Sequence, residues 1–162
     1  LMPVAISIAY SYFRIKRVFL LKNLVVALAV SATLLIPVVM YRPSPGIWLP
    51  LFGILVLSLL VDIIVFDIKD IRGDNAAGIR TLPVSLGIRG TQAVCFVLLG
   101  FVALLSFFLT SRGTLYWALI PFILYIGIYV HLVPKGEAPW WYYGLFVEGE
   151  YLVLLGFSLL LK

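Results

Sequence analysis

Apolar residues run through this chain in long unbroken blocks, not in alternation. Five blocks are each about 20 residues long: 22–41, 47–66, 90–110, 114–133 and 142–161. An α-helix rises about 1.5 Å per residue, so each block can cross a hydrocarbon core of about 30 Å. A sixth block, 1–13, reaches only about 20 Å and reads as the tail of a helix whose beginning is missing. Membrane-spanning barrels alternate apolar and polar residues in segments of about ten, and that pattern is absent. The expected fold is therefore an all-α polytopic transmembrane helix bundle with five full spans and one partial span.

The polar breaks between blocks are mostly short. Arg42-Pro43-Ser44-Pro45-Gly46 and Ser111-Arg112-Gly113 are Pro/Gly turns, and 134–139 joins the last two blocks. Short breaks make successive helices antiparallel neighbours, so 1–162 reads as a single membrane domain. Pro37, Pro50 and Pro121 fall inside blocks and predict kinks, which membrane helices tolerate. One connection is long, from Asp67 to Arg89, and it is the polar centre of the chain.

Composition sharpens this reading. The chain of 162 residues is 64% hydrophobic and 12% charged. Soluble domains average about 45–50% apolar and about 25% charged, and disorder needs low hydrophobicity with high charge, so both classes are excluded. Cys95 is the one cysteine, so no internal disulfide forms; within an apolar run it reads as a small packing residue. The net charge of +5 would suggest nucleic acid in a soluble protein. Here the basic residues flank apolar runs, where they set orientation and meet anionic headgroups or an anionic ligand, and no nucleic-acid motif is present.

Arg14, Lys16, Arg17, Lys22, Lys69, Arg72, Arg80, Arg89 and Lys135 fall on one side of the predicted topology, against Arg42, Arg112 and Lys162 on the other. The basic excess assigns the first side to the cytoplasm, and with it the long connection of an integral protein of the cell's inner membrane. Trp140-Trp141-Tyr142-Tyr143 then lies at the cytoplasmic interface as an aromatic belt.

The chemistry concentrates in Asp67-Ile68-Lys69-Asp70-Ile71-Arg72-Gly73-Asp74. Carboxylates at i, i+3 and i+7 fall within about 60° of one another on a helix. Three like charges on one face repel unless a cation lies among them, and oxygen-only ligands suit Mg²⁺, which also takes substrate phosphates. Asp67, Asp70 and Asp74 are therefore the candidate metal ligands. Arg80 is positioned to meet an anion beside them, since guanidinium binds phosphate bidentately. Asp62 is deeper in the apolar run and about 140° around the helix from Asp67, which predicts a paired or cavity-lining residue. Glu148 and Glu150 face roughly opposite sides of the last span and read as satisfied bundle residues, and His131 as a structural or solvated histidine.

Asp67-x-x-Asp70-x-x-x-Asp74, followed by Ala77-Gly78-Ile79-Arg80-Thr81-Leu82-Pro83, resembles the second aspartate-rich motif of the UbiA-type intramembrane prenyltransferases. Tyr12-Phe13-Arg14-Ile15-Lys16 is similar to that family's YxxxK element, with Arg17 and Leu21-Lys22-Asn23 continuing the likeness. The resemblance implies a nine-helix fold around a central cavity, with two Asp-rich motifs facing each other at the cytoplasmic mouth. It implies that Asp67, Asp70 and Asp74 hold Mg²⁺ and the diphosphate of an isoprenyl donor. Lys16 and Tyr12 would bind the donor as members of the YxxxK element, and Arg80 would add a further cation.

The family's first motif, of N-D-x-x-D type, is absent, so the chain is expected to be the C-terminal portion of such an enzyme and could be inactive alone. Arg72 stands where many members carry an acid. The implied reaction transfers a polyprenyl group from a prenyl diphosphate to a lipophilic or aromatic acceptor such as a quinone precursor. A glycerol phosphate ether or a tetrapyrrole acceptor, a cation-coupled transporter, and a non-catalytic partner subunit are the alternatives.

Overall fold

The structure is a computed structural model that describes residues 21–34, 36, 40–42, 44–109, 114–134, 139 and 141–160. Within these residues every regular element is helical. Helix α1 is Leu21–Ser31 and continues into a tight turn at Ala32–Leu34. Helices α2 (Pro45–Lys69), α3 (Ile71–Ala76) and α4 (Leu82–Phe107) follow. Helix α5 is Thr114–His131, and a wide π-helical turn at Tyr142–Val147 leads into α6, Glu150–Leu160. Tyr12, Lys16, the partial span 1–13, Pro37 and the 111–113 and 135–138 connections lie outside the described residues.

The all-α bundle is as the hydrophobic blocks predict, but the boundaries move. Three helical stretches are long and apolar enough to cross a membrane: Pro45–Lys69, Leu82–Phe107 and Tyr142–Leu160. Leu21–Ser31 and Trp117–His131 are shorter apolar helices. The second block continues as helix through Asp67 to Lys69, and the third begins at Leu82 instead of residue 90. The long connection thus shrinks to α3 and its flanking turns. Backbone amides near a membrane have no reason to leave the helical ladder while intrahelical bonds are available.

Two local devices shape the bundle. Gly87 has φ 67 and ψ 176, which breaks α4 after its first turn; a side chain there would be strained. Thr91 donates its hydroxyl to the Gly87 carbonyl at 2.8 Å, which satisfies an oxygen near the kink. At the end of α5, Gln92 of α4 donates to the carbonyls of Val130 (2.8 Å) and His131 (3.1 Å). Those are among the carbonyls a helix C-terminus leaves without partners, so the contact ties α4 to α5.

Helix α2 lies between α1 and α4, and α5 packs against α4 and α6. The shared core includes Val61, Ile64, Val65, Val102, Phe122, Ile126 and Val147. Cys95 is buried among these side chains, as its apolar context predicts. Large apolar residues on the outer faces are exposed, among them Val97, Phe101 and Leu104 of α4 and Leu152, Leu155 and Leu159 of α6. A surface of that kind is suited to lipid tails, not to water.

Candidate functional site

The three aspartates of the motif do not ride on one continuous helix. Helix α2 ends at Lys69, Asp70 adopts φ −95 and ψ 6, and α3 starts at Ile71. The chain nevertheless keeps a near-helical course, since the Asp74 amide donates to the Asp70 carbonyl at 2.8 Å. Asp67 is the last buried acid of the span, Asp70 is exposed at the break, and Asp74 is half-buried. A continuous face is thereby corrected to a broken one: Gly73 and the turn at Gly78, whose φ is 68, lower helical stability where the span leaves the apolar layer.

Asp67 is held from the neighbouring helix. Lys22 Nζ donates to Asp67 Oδ1 at 2.7 Å, and Asn23 Nδ2 donates to Oδ2 at 2.7 Å. Both donors come from the first turn of α1, so two consecutive residues close over one carboxylate. The Lys22 side chain is 25% exposed and that of Asp67 8%, so the ion pair lies at the edge of the buried layer. Charge-assisted bonds of this length are stronger than neutral ones. The sequence marks Lys22 as a basic residue flanking a span and Lys22-Asn23 as a continuation of the YxxxK likeness; their grip on Asp67 depends on how α1 packs against α2.

Asp74 belongs to the same electrostatic neighbourhood. Its carboxyl is raised above the ordinary aspartate value, first by loss of water, and further by the nearby charges of Asp67 and Asp70. Lys22 and the adjacent Thr81 hydroxyl act in the opposite sense. The three carboxylates and Lys22 therefore act on one another. Arg80 is exposed two residues beyond Gly78, just before α4 begins. Among the described residues no three His, Cys, Asp or Glu side chains converge tightly enough to cage a bare ion.

Aromatic residues border this mouth. The Lys69 ammonium lies 5.7 Å from the centre of the Tyr143 ring, and Phe66 stacks at a tilt on the same ring with 5.5 Å between centroids. Tyr143 thus sits at the same end of the bundle as the aspartates, where the predicted belt places it.

A second polar group lies deeper. Asp62 of α2, Tyr129 of α5 and Glu150 of α6 meet in the interior: the Tyr129 hydroxyl contacts Asp62 Oδ1 and lies 2.8 Å from Glu150 Oε2. Asp62 is paired, as its cost inside an apolar span requires. Glu150 is buried and bonded through one oxygen; its second, Oε1, has no partner among the described residues. His131 is exposed at the end of α5. It borders an apolar groove of about 650 Å³ between α4 and α5, lined also by Phe96, Leu99, Ile123 and Leu132. That groove shares no lining residue with the aspartate mouth.

The sequence profile of the UbiA prenyltransferase family matches residues 1–147. The chain belongs to the UbiA prenyltransferase family. A digeranylgeranylglyceryl phosphate synthase from Methanopyrus kandleri is 38% identical over 79 residues, which cover 48% of this chain and 28% of that protein. The aligned part of the chain thus spans less than a third of the length of this relative. No solved structure gives a significant match. Family membership fits the helical architecture and the resemblance carried by the aspartate and Ala77–Pro83 segments.

Proposed function

We propose that this chain carries the diphosphate-binding mouth of an intramembrane prenyltransferase, and that it transfers a polyprenyl group from a prenyl diphosphate to a small lipophilic acceptor. The observation that carries the reading is the Asp67–Asp70–Asp74 group at the end of α2, with Lys22 and Asn23 closing over Asp67 in a member of the UbiA family. The basic excess on that side of the topology supports a cytoplasmic mouth.

The donor set suits Mg²⁺. That ion usually keeps several waters and takes one or two carboxylates plus substrate phosphates, so it does not need a closed three-carboxylate cage. Asp70 and Asp74 are the more available ligands, because both oxygens of Asp67 already accept hydrogen bonds. When bound, Mg²⁺ would neutralise the charge that builds on the departing diphosphate. Lys22 and Arg80 supply fixed positive charge at the mouth, and the resemblance adds Lys16 and Tyr12. Such groups act most strongly on charge that develops during reaction. Asn23 orients Asp67. The apolar interior below excludes water, which would otherwise quench an allylic cation.

Two acceptor classes are distinguished. An aromatic quinone precursor is the acceptor implied by the resemblance. A glycerol phosphate ether is favoured by the Methanopyrus relative, whose name is that of a digeranylgeranylglyceryl phosphate synthase. The test is incubation with radiolabelled prenyl diphosphates and a panel of aromatic and glycerol-phosphate acceptors, with and without Mg²⁺. Label transferred to one acceptor class only when Mg²⁺ is present is the expected result. Absence of transfer to every acceptor in the intact membrane-embedded protein would overturn the reading.

A further inference from the structure

The Asp62–Tyr129–Glu150 group has no part in the proposed reaction, and proton counting gives it one of its own. A phenol has a single hydrogen, yet the Tyr129 oxygen is in hydrogen-bond contact with a carboxyl oxygen on each side. It donates to one of them. The other carboxyl either shares that one hydrogen or donates to the phenol oxygen, and only the second arrangement spares two facing carboxylates their repulsion, because that carboxyl then carries a proton of its own. The two carboxyls meet the same phenol oxygen and act on each other's charge, and two carboxylates so placed cannot both be ionised without strong repulsion.

Among the described residues no cation compensates the two acids, and Tyr151 acts on Glu150 only as a neutral hydroxyl. The groups acting on Asp62 are Tyr129, Glu150 and Glu148, and those acting on Glu150 are Asp62, Tyr129 and Tyr151; none is a cation. Cys95 of α4 also lies near Asp62. Tyr129 and Glu150 are fully buried, and Asp62 is 8% exposed. Glu150 Oε1 and the Tyr151 hydroxyl are buried without partners among the described residues. An isolated buried charge is far more costly than a neutral hydrogen-bonded acid. Tyr129 is itself fixed: it meets the rings of Tyr125 and Phe146 edge-on, and its carbonyl accepts a bond from the Tyr142 hydroxyl at 2.5 Å.

We infer that Asp62, Tyr129 and Glu150 form a proton-binding site inside the bundle, in which one proton is held between the two carboxyls through the phenol. The site is a clasp. It joins α2 to α5 and α6, one and a half turns below Asp67, and so these residues position the helix that carries the mouth aspartates. It acts whatever the acceptor is, and it stands independently of the transfer reaction.

Infrared spectroscopy of the purified protein at neutral pH tests the proton directly. The C=O stretch of a protonated carboxylic acid is expected in the unsubstituted protein, with intensity lost both in Asp62→Asn and in Glu150→Gln. In either variant the amide nitrogen donates to the phenol and the phenol to the remaining carboxylate, so no extra proton is needed. A band that is absent, or unchanged in both variants, overturns the proposal. Tyr129→Phe serves if those variants do not fold: the band should persist but move, because the acid loses its phenol acceptor, and an unmoved band counts against the site. The clasp is tested by melting temperature. Asp62→Asn should melt close to the unsubstituted protein and Asp62→Ala clearly below it; equal melting of Asp62→Ala and the unsubstituted protein would remove the positioning role.

Discussion

Asp62 and Asp67 stand five residues apart on α2, and the bundle treats them in opposite ways. Asp67, at the edge of the apolar layer, is met by a charged partner, Lys22, with Asn23 on the second oxygen. Asp62, deeper, is met by a phenol and another acid, with no cation among the described residues acting on it. The difference follows from depth. Near water an ion pair loses little hydration and can still exchange its partner for a metal or a phosphate. In the interior a charge must be neutralised or abandoned, and sharing a proton does so without importing a cation. The first arrangement suits binding, and the second suits holding helices together.

The largest effect that would break this contrast is expected at Asp70. It is exposed at the helix break, so Asp70→Ala should leave the melting temperature nearly unchanged and reduce transfer by at least about 100-fold, the scale for losing one group that stabilises developing charge. Normal turnover would remove Asp70 from the metal site. Lys22→Ala comes next. Removing one partner of a wholly buried pair costs about 3–5 kcal/mol, but Lys22 is partly exposed, so a loss of about 2 kcal/mol is expected in denaturant unfolding. Lys22→Arg should recover most of it. A loss within error for Lys22→Ala would mean that Asp67 does not depend on α1.

Lys16→Ala should raise the donor KM about ten-fold, or about 1.4 kcal/mol, with unchanged melting. An unaltered KM would take Lys16 out of the mouth. The smallest effect is expected for Asp74→Asn without ligand. The folded protein holds the Asp74 carboxyl above its ordinary value, so folding favours the protonated form. The stability this gives is present below the unfolded value and is lost as pH rises through the folded one. An uncharged amide imitates the protonated state, so Asp74→Asn should melt slightly higher than the unsubstituted protein at neutral pH, and the two should converge in acid. A lower melting temperature at neutral pH would contradict the sign.

Much of the candidate mouth was legible because its residues are close in sequence. Asp67, Asp70 and Asp74, with Arg80 just beyond, announce themselves by spacing and by their place at the end of an apolar block. The helix break at Asp70 was not legible, since a spacing of i, i+3 and i+7 fits a continuous helix equally well. Nor was the role of Lys22 and Asn23, which lie 45 and 44 residues from Asp67. Periodicity reports which face a residue occupies, not which neighbour comes to that face.

The sequence by itself determined the solvent and the fold class. Blocks of about 20 apolar residues leave the backbone no partner but itself, and only helices then satisfy every amide. It also determined where ionisable chemistry concentrates, because each acid in an apolar run must have a reason to be there. The tertiary structure decided how each acid is compensated. Asp62, Tyr129 and Glu150 are separated by 67 and 21 residues along the chain, and only the packing of α2, α5 and α6 brings them within reach of a single shared proton. Hydrogen bonds act over about 3 Å, so their partners are fixed by the final approach of helices and not by any pattern along one of them.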